Sequence, residues 1–191
     1  LVLAGAAAAY LFSEIHRPYG EFTEPVVFEY QPGVKGDDAA AMLEQLGVVR
    51  SRWLFLAARA LRPNAVLMAG EYRFAAPDSP AGIVSRLAAG DVYLRPLTIP
   101  EGLTRFEISS LVANAGYAAE DEFLALTADP ASIQDLFPEA KSLEGFLFPE
   151  TYSLAKTATG AQIVAAMLAN FRRAFASATE GAETDLTPYE T

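Results

Sequence analysis

Apolar positions between residues 25 and 95 follow two different periods. β-Branched and aromatic residues dominate three short runs, which is typical of strands. In the segments between these runs, apolar residues recur every three to four positions, which predicts amphipathic helices. The resulting order is β-α-α-β-α-β. The strands are expected over 26–30, 70–74 and 92–99, and Pro96 makes the last an edge strand or an interrupted one. The helices are expected to begin at Asp37 or Asp38, at Ser51 and at Ser79.

Helical periodicity dominates the rest of the chain, from residue 96 to 191. Thr104 with Glu107, and Thr159 with Gln162, have the spacing of capping boxes and so mark two helix starts. Three consecutive acidic residues over 120–122 suit the first turn of another helix, where the helix dipole favours negative charge. The pattern therefore predicts an α+β protein of two small domains, 25–95 and a helix-rich 96–191.

Residues 1–12 carry no charge. A membrane-spanning helix needs about 20 apolar residues, so this segment is too short to span a bilayer alone. We interpret it as the remnant of a transmembrane anchor, followed by a juxtamembrane linker over 13–24. The alternative is an ordinary buried, alanine-rich helix. Near the other end, Thr187 and Pro188 resemble a new helix start, which indicates that the natural domain continues beyond Thr191.

The composition of the chain excludes several classes of function. The formal net charge is -10, whereas a protein that binds nucleic acid is expected to be basic. The chain has no cysteine, no Gly-x-Gly sequence, no Gly-Lys pair, and only one histidine, His16. These absences exclude disulfides, thiolate metal sites, and the usual dinucleotide and phosphate-binding loops. What remains for chemistry is carboxylates, hydroxyls and aromatic rings.

Four arginines gather around the second predicted helix. The simplest interpretation is a solvated helix face, and the sharper one is a contact with anionic lipid or an acidic polymer. They are Arg50, Arg52, Arg59 and Arg62.

Residues 143–152, LEGFLFPETY, have an unusual composition for a loop. Glu144 lies among apolar residues, and Gly145 lets the backbone turn sharply or a ligand approach. A carboxyl group against apolar side chains is harder to ionise, so we expect a raised pKa for Glu144. A general acid near neutral pH needs that property, and glycosidic bond cleavage often uses one. The alternative is a buried, hydrogen-bonded structural glutamate.

A glycosidase would need a second carboxylate nearby. Glu150 lies six residues from Glu144, which is roughly 20 Å along an extended chain. A catalytic pair is separated by about 5 to 9.5 Å, so these two residues cannot form one unless the chain folds back. Glu101 could approach from another element, and nothing local decides this.

Four segments together resemble the YceG-like (MltG) family of membrane-bound endolytic murein transglycosylases. The most specific is LEGFLFPETY, and the resemblance extends from about residue 25 to the end. The other segments are GEYR at 70–73, TIPEG at 98–102 and LTPYET at 186–191. The resemblance implies a single inner-membrane helix followed by a LysM-like domain (25–95) and the N-terminal part of a catalytic domain (96–191), both on the extracytoplasmic side.

The resemblance also implies a reaction. Glu144 would protonate the glycosidic oxygen between N-acetylmuramic acid and N-acetylglucosamine in nascent peptidoglycan. As a carboxylate it would then take the proton from the muramic C6 hydroxyl, which closes on C1 to give a 1,6-anhydro end. One acid/base is enough for such a lyase, and no cofactor or metal takes part. Residues expected to line or brace the glycan groove are Glu101, Phe148, Glu150, Thr151 and Tyr152.

The expected function is thus internal cleavage of glycan strands, which limits their length, with glycan and cell-wall synthases as partners. The alternative is a non-catalytic, membrane-tethered LysM-like module that binds peptidoglycan or scaffolds the synthases. Glu144 distinguishes the two, because an enzyme needs its carboxyl group and a binding module would tolerate glutamine there. A purely structural anchored domain would leave the Glu144 segment unexplained.

Overall fold

The computed structural model describes residues 2–180, and within that range it contains seven helices and two antiparallel two-stranded sheets. This mixture confirms the predicted α+β class. The elements are α1 (Val2–His16), β1 (Val26–Tyr30), α2 (Gly36–Gln45), α3 (Arg52–Ala60), β2 (Gly70–Phe74), α4 (Pro80–Ala89), β3 (Leu94–Thr98), α5 (Arg105–Asn114), α6 (Glu120–Ala128), β4 (Thr151–Ala155) and α7 (Gly160–Thr179). The chain divides into two units, residues 1–93 and residues from 94 onward, each with its own core.

In the first unit, β1 pairs with β2 and helices cover the buried side chains of this sheet. Phe28 lies opposite Tyr72, and both are almost fully buried. Two predicted helix starts are confirmed by their caps: the Ser51 Oγ accepts from the N–H of Trp53, and the Ser79 Oγ accepts from the N–H of Gly82.

The predicted cap of α2 was wrong. The capping position is Lys35, whose side chain makes no capping hydrogen bond, and Asp37 and Asp38 lie inside the first turn. Their carboxylates still suit that position, because the positive end of the helix dipole favours acidic residues there.

The third strand of the predicted order pairs outside the first unit. β3 forms an antiparallel ladder with β4 in the second unit, so the first unit holds only the β1–β2 sheet among the described residues. Pro96 is accommodated because every strand of a two-stranded sheet has a free edge. β4 itself was not predicted, since its sequence follows Pro149 in a segment that reads as a loop.

The second unit packs three helices around the β3–β4 sheet. Both predicted capping boxes are present, with Thr104 and Glu107 at the start of α5 and Thr159 and Gln162 at the start of α7. The core of this unit contains residues from all of its elements. Its fully or nearly fully buried members include Ile99, Val112, Phe123, Ile133, Leu143, Ile163 and Met167.

At the N-terminus, α1 is a helix of 15 residues that runs into the segment expected to be a linker. Tyr19 then forms an isolated bridge with Asp78. Across residues 2–180 no helix combines the length and the apolar character that crossing a bilayer requires. The predicted helix start at Thr187 lies outside the described residues.

Candidate functional site

A tight turn presents Glu144 at the surface of the second unit. Leu143 before it is fully buried, and its N–H donates to the carbonyl of Thr127 at 2.8 Å. Gly145 after it has a φ of +82°, a conformation that glycine adopts without steric cost. The N–H of Phe146 then donates to the carbonyl of Leu143 at 3.1 Å and closes the turn. Glu144 is therefore fixed between a buried anchor and a left-handed glycine.

The start of α5 binds the Glu144 carboxylate. The backbone N–H of Arg105, the first residue of α5, lies 3.3 Å from Oε1 and 3.1 Å from Oε2. The Nε atom of Arg105 lies 4.0 Å from Oε2. Helix N-termini attract anions because their first N–H groups have no partner within the helix. The carboxylate thus occupies the place that an anion takes at a helix start.

The structure overturns one expectation for Glu144. Its side chain is 45% exposed, so its apolar neighbours in sequence do not enclose the carboxyl group. The physical reason is the turn: Leu143 and Leu147 point into the core, and Phe146 packs on other aromatic rings. The predicted desolvation by these neighbours was therefore wrong, and so was the alternative of a buried glutamate.

Arg105 was not among the site residues predicted from the sequence. Its Nη1 atom donates to the carbonyl of Leu124 at 3.2 Å, and its guanidinium carbon lies 4.5 Å from the centre of the Phe106 ring. These contacts hold the side chain in one place, with only 19% of it exposed. The sequence feature that could have pointed to the N–H of Arg105 is the capping box that begins at Thr104. It satisfies the N–H groups of Thr104 and Glu107 and leaves that of Arg105, the first helical residue, open to an outside acceptor.

An aromatic cluster supports the turn from behind. The ring of Phe146 lies 4.8 Å from that of Phe137 and 5.3 Å from that of Phe171, the second pair edge to face. Phe137 also contacts Phe175 at 5.2 Å. Since Phe171 and Phe175 belong to α7, the cluster ties the turn to the longest helix of the unit.

The two segments TIPEG and LEGFLFPETY meet in space. Thr98 pairs with Thr151 across the β3–β4 ladder, with their hydroxyl oxygens 2.9 Å apart. The ladder is extended by the N–H of Ile99, which donates to the carbonyl of Glu150 at 2.9 Å. The chain over 98–105 therefore runs beside the chain over 144–151, from the sheet to the Arg105–Glu144 contact.

The other predicted site residues differ in exposure. Tyr152 is buried, its hydroxyl donates to the carbonyl of Phe148 at 2.6 Å, and burial raises its pKa. The exposed Glu150 carboxylate accepts a hydrogen bond from the side chain of Asn170, a residue that sequence reasoning did not find. Glu101 is exposed in the turn after β3. Within residues 2–180 no cluster of acidic and histidine side chains is arranged to hold a metal ion.

Comparison with known proteins gives one family. The sequence model of the YceG-like family matches residues 28–191. No match was found among curated proteins. Among solved structures, the 2.6 Å crystal structure of a YceG-like protein from Listeria monocytogenes is similar over 82% of this chain, with 25% identity and a TM-score of 0.41. The matched region spans 57% of that protein's length.

Proposed function

This chain belongs to the YceG-like family, and on that premise we propose that it is an endolytic lytic transglycosylase. It cleaves the bond between N-acetylmuramic acid and N-acetylglucosamine inside nascent glycan strands and so limits their length. Glu144 is the general acid and base. The observation that carries the proposal is an exposed carboxylate held in a fixed turn by the first N–H of a helix.

The proposed reaction needs one carboxyl group. Protonated Glu144 gives its proton to the glycosidic oxygen while the bond from that oxygen to C1 breaks. The carboxylate then takes the proton of the C6 hydroxyl as the C6 oxygen closes on C1. Glu144 ends protonated, no water is consumed, and the product carries a 1,6-anhydro ring. The substrate thus supplies the nucleophile that a second carboxylate would otherwise provide or activate.

Arg105 has a defined role in this proposal. When Glu144 gives up its proton, the anion that forms already has the N–H of Arg105 within 3.1 Å. A preorganised donor stabilises developing charge more effectively than water, which must first reorient. Arg105 is therefore a positioning residue that acts through Glu144.

The remaining residues border the same strip of surface. We propose that exposed Glu101, Glu150 and Thr151, with half-buried Phe148, contact the glycan, and that buried Tyr152 braces the segment from below. The proposed place of action is the extracytoplasmic face of the bacterial inner membrane, where glycan strands and cell-wall synthases are the partners.

The test compares the protein with Glu144→Gln on uncrosslinked glycan strands, with the ends analysed by mass spectrometry. Glu139→Gln is the matched control, because it removes one exposed carboxylate from the same unit. We expect internal cuts with anhydro ends from the parent and the control, and none from Glu144→Gln. Reducing ends that contain an added water would indicate a hydrolase. Strand binding without cleavage by any of the three proteins would favour the LysM-like scaffold.

A further inference from the structure

One side of α3 exposes large apolar residues. The helix buries Phe55 and Ala58, whereas Trp53 is 66% exposed and Leu61, which caps the helix, is 64% exposed. A tryptophan with two thirds of its surface in water favours contact with an apolar partner, because removing large apolar side chains from water lowers the free energy. Trp53 is also the single tryptophan of the chain.

An apolar groove lies beside this row of residues. It has a volume of about 290 Å³, and its walls come from α1 and α3. All of its lining residues are apolar: Ala8, Leu11, Phe12, Ile15, Ala57 and Leu61. On the α1 side the apolar surface continues, since residues 2–12 carry no charge and are exposed.

Arginines border the other side of α3. A second hollow of about 280 Å³ is lined by Arg59 and Arg62 together with Leu56, Ala60 and Pro63. Successive residues of a helix are rotated by 100°, so Trp53 and Ala60 form a row along α3. Ala57 and Leu61 lie on one side of this row. Leu56 and Arg59 lie on the other side. The guanidinium carbon of Arg52 lies 5.2 Å from the centre of the Trp53 ring.

The local charge is opposite to that of the whole protein. Residues 46–70 contain four arginines and no acidic residue, although the chain has a net charge of -10. Arg50 contacts the Glu14 carboxylate at 3.4 Å, and the Nη1 of Arg62 donates to the neutral hydroxyl of Ser85. The positive charge of exposed Arg52 and Arg62, and of half-buried Arg59, whose guanidinium packs against Gly36, therefore lies next to the apolar side chains of α3.

We propose that this surface, the α3 surface, binds peripherally to an anionic lipid bilayer. The apolar side chains that enter the membrane–water interface, where aromatic rings are favoured, are those of Trp53, Leu61, Leu11 and Phe12. The guanidinium groups of the three arginines contact lipid phosphates. A second copy of this chain does not fit as the occupant, because two positively charged surfaces would repel each other. A purely hydrophilic polyanion does not fit either, because it would leave the apolar groove exposed to water. The proposal does not depend on the proposed enzymatic activity.

The test uses the fluorescence of Trp53 and vesicles of phosphatidylglycerol with phosphatidylcholine. We expect a blue shift of the emission and quenching by lipids brominated near the headgroup, with neither effect on pure phosphatidylcholine. The double variant Arg59→Gln/Arg62→Gln should bind the anionic vesicles about 30-fold more weakly, since each basic residue at such a surface contributes about fivefold. The control Arg173→Gln removes an exposed charge from the other unit and should bind like the parent.

Four outcomes would overturn the proposal. The first is equal binding by the parent and the double variant. The second is vesicle binding without any change at Trp53, since α1 alone would then account for it. The third is an equal affinity for soluble polyglutamate, which would indicate an acidic polymer as the ligand. The fourth is a concentration-dependent blue shift without vesicles, together with a dimer in sedimentation analysis.

Circular dichroism of each variant checks that these substitutions leave the fold intact.

Discussion

The N–H of Arg105 lies 3.1 Å from Oε2 of Glu144, although the two residues are 39 positions apart in the chain. The contact joins the first turn of α5 to the glycine turn at residue 145. It joins the LEGFLFPETY segment to the helix that follows TIPEG, and it gives the candidate acid/base a backbone donor that no ordinary side-chain substitution removes.

Proline at position 105 tests this donor. Proline is favoured at the first residue of a helix, and the extended Thr104 before it (ψ 160°) is compatible with it, so Arg105→Pro should fold. Arg105→Ala is the control, because it also lacks the guanidinium but keeps the N–H. We expect kcat for strand cleavage to be about 10- to 100-fold lower for proline than for alanine, the range for a hydrogen bond to a charged group. Equal kcat values would remove the N–H from the mechanism.

Gly145→Ala tests the turn. A Cβ at this position would meet no atom within 4 Å, so the cost comes from the positive φ alone. We expect a loss of about 1–2 kcal/mol in the free energy of unfolding, measured with urea, because the left-handed region is strained for residues with a Cβ. Gly145→Asn should lose less, since asparagine tolerates this region better. If alanine and asparagine cost the same, backbone strain is not the cause.

Phe146→Leu tests the aromatic support of the turn. Leucine keeps apolar volume but loses the ring contacts with Phe137 and Phe171. Two aromatic pairs are worth about 1–3 kcal/mol together, so urea unfolding should detect a loss of that size. We also expect a lower kcat, because the turn that carries Glu144 loses its anchor on α7. An unchanged kcat in a destabilised variant would show that the aromatic cluster does not help to position Glu144.

The Asp135–Arg172 pair should make stability depend on pH. Hydrogen bonds from Arg172 hold the pKa of Asp135 below its ordinary value of 3.8. Because the folded pKa is the lower one, this contribution is complete above the unfolded pKa and disappears as the pH falls through the folded pKa. Asp135→Asn should therefore be less stable than the parent near pH 7, and the difference should shrink below about pH 4. Urea unfolding of both proteins across this range measures it, and a constant difference would contradict the assignment.

The local features could be predicted from neighbouring residues in the chain. Ser51, Ser79, Thr104 and Thr159 cap helices as predicted, because a cap is a hydrogen bond between groups two or three residues apart. The strands over 26–30 and 70–74 followed from their composition. The segment around Glu144 could be singled out for the same reason, since its unusual residues are consecutive.

The way in which these elements meet is set by tertiary packing. The pairing of β3 with β4, the exposure of Glu144 and its contact with Arg105 depend on which apolar side chains share a core. Leu143 and Phe146 were expected to surround the carboxylate, and instead Leu143 is buried in the core and Phe146 packs on other aromatic rings. Helix caps and turns are fixed by neighbours in the chain, whereas burial is a property of the whole packed unit, so the environment of a single carboxylate cannot be read from its flanking residues.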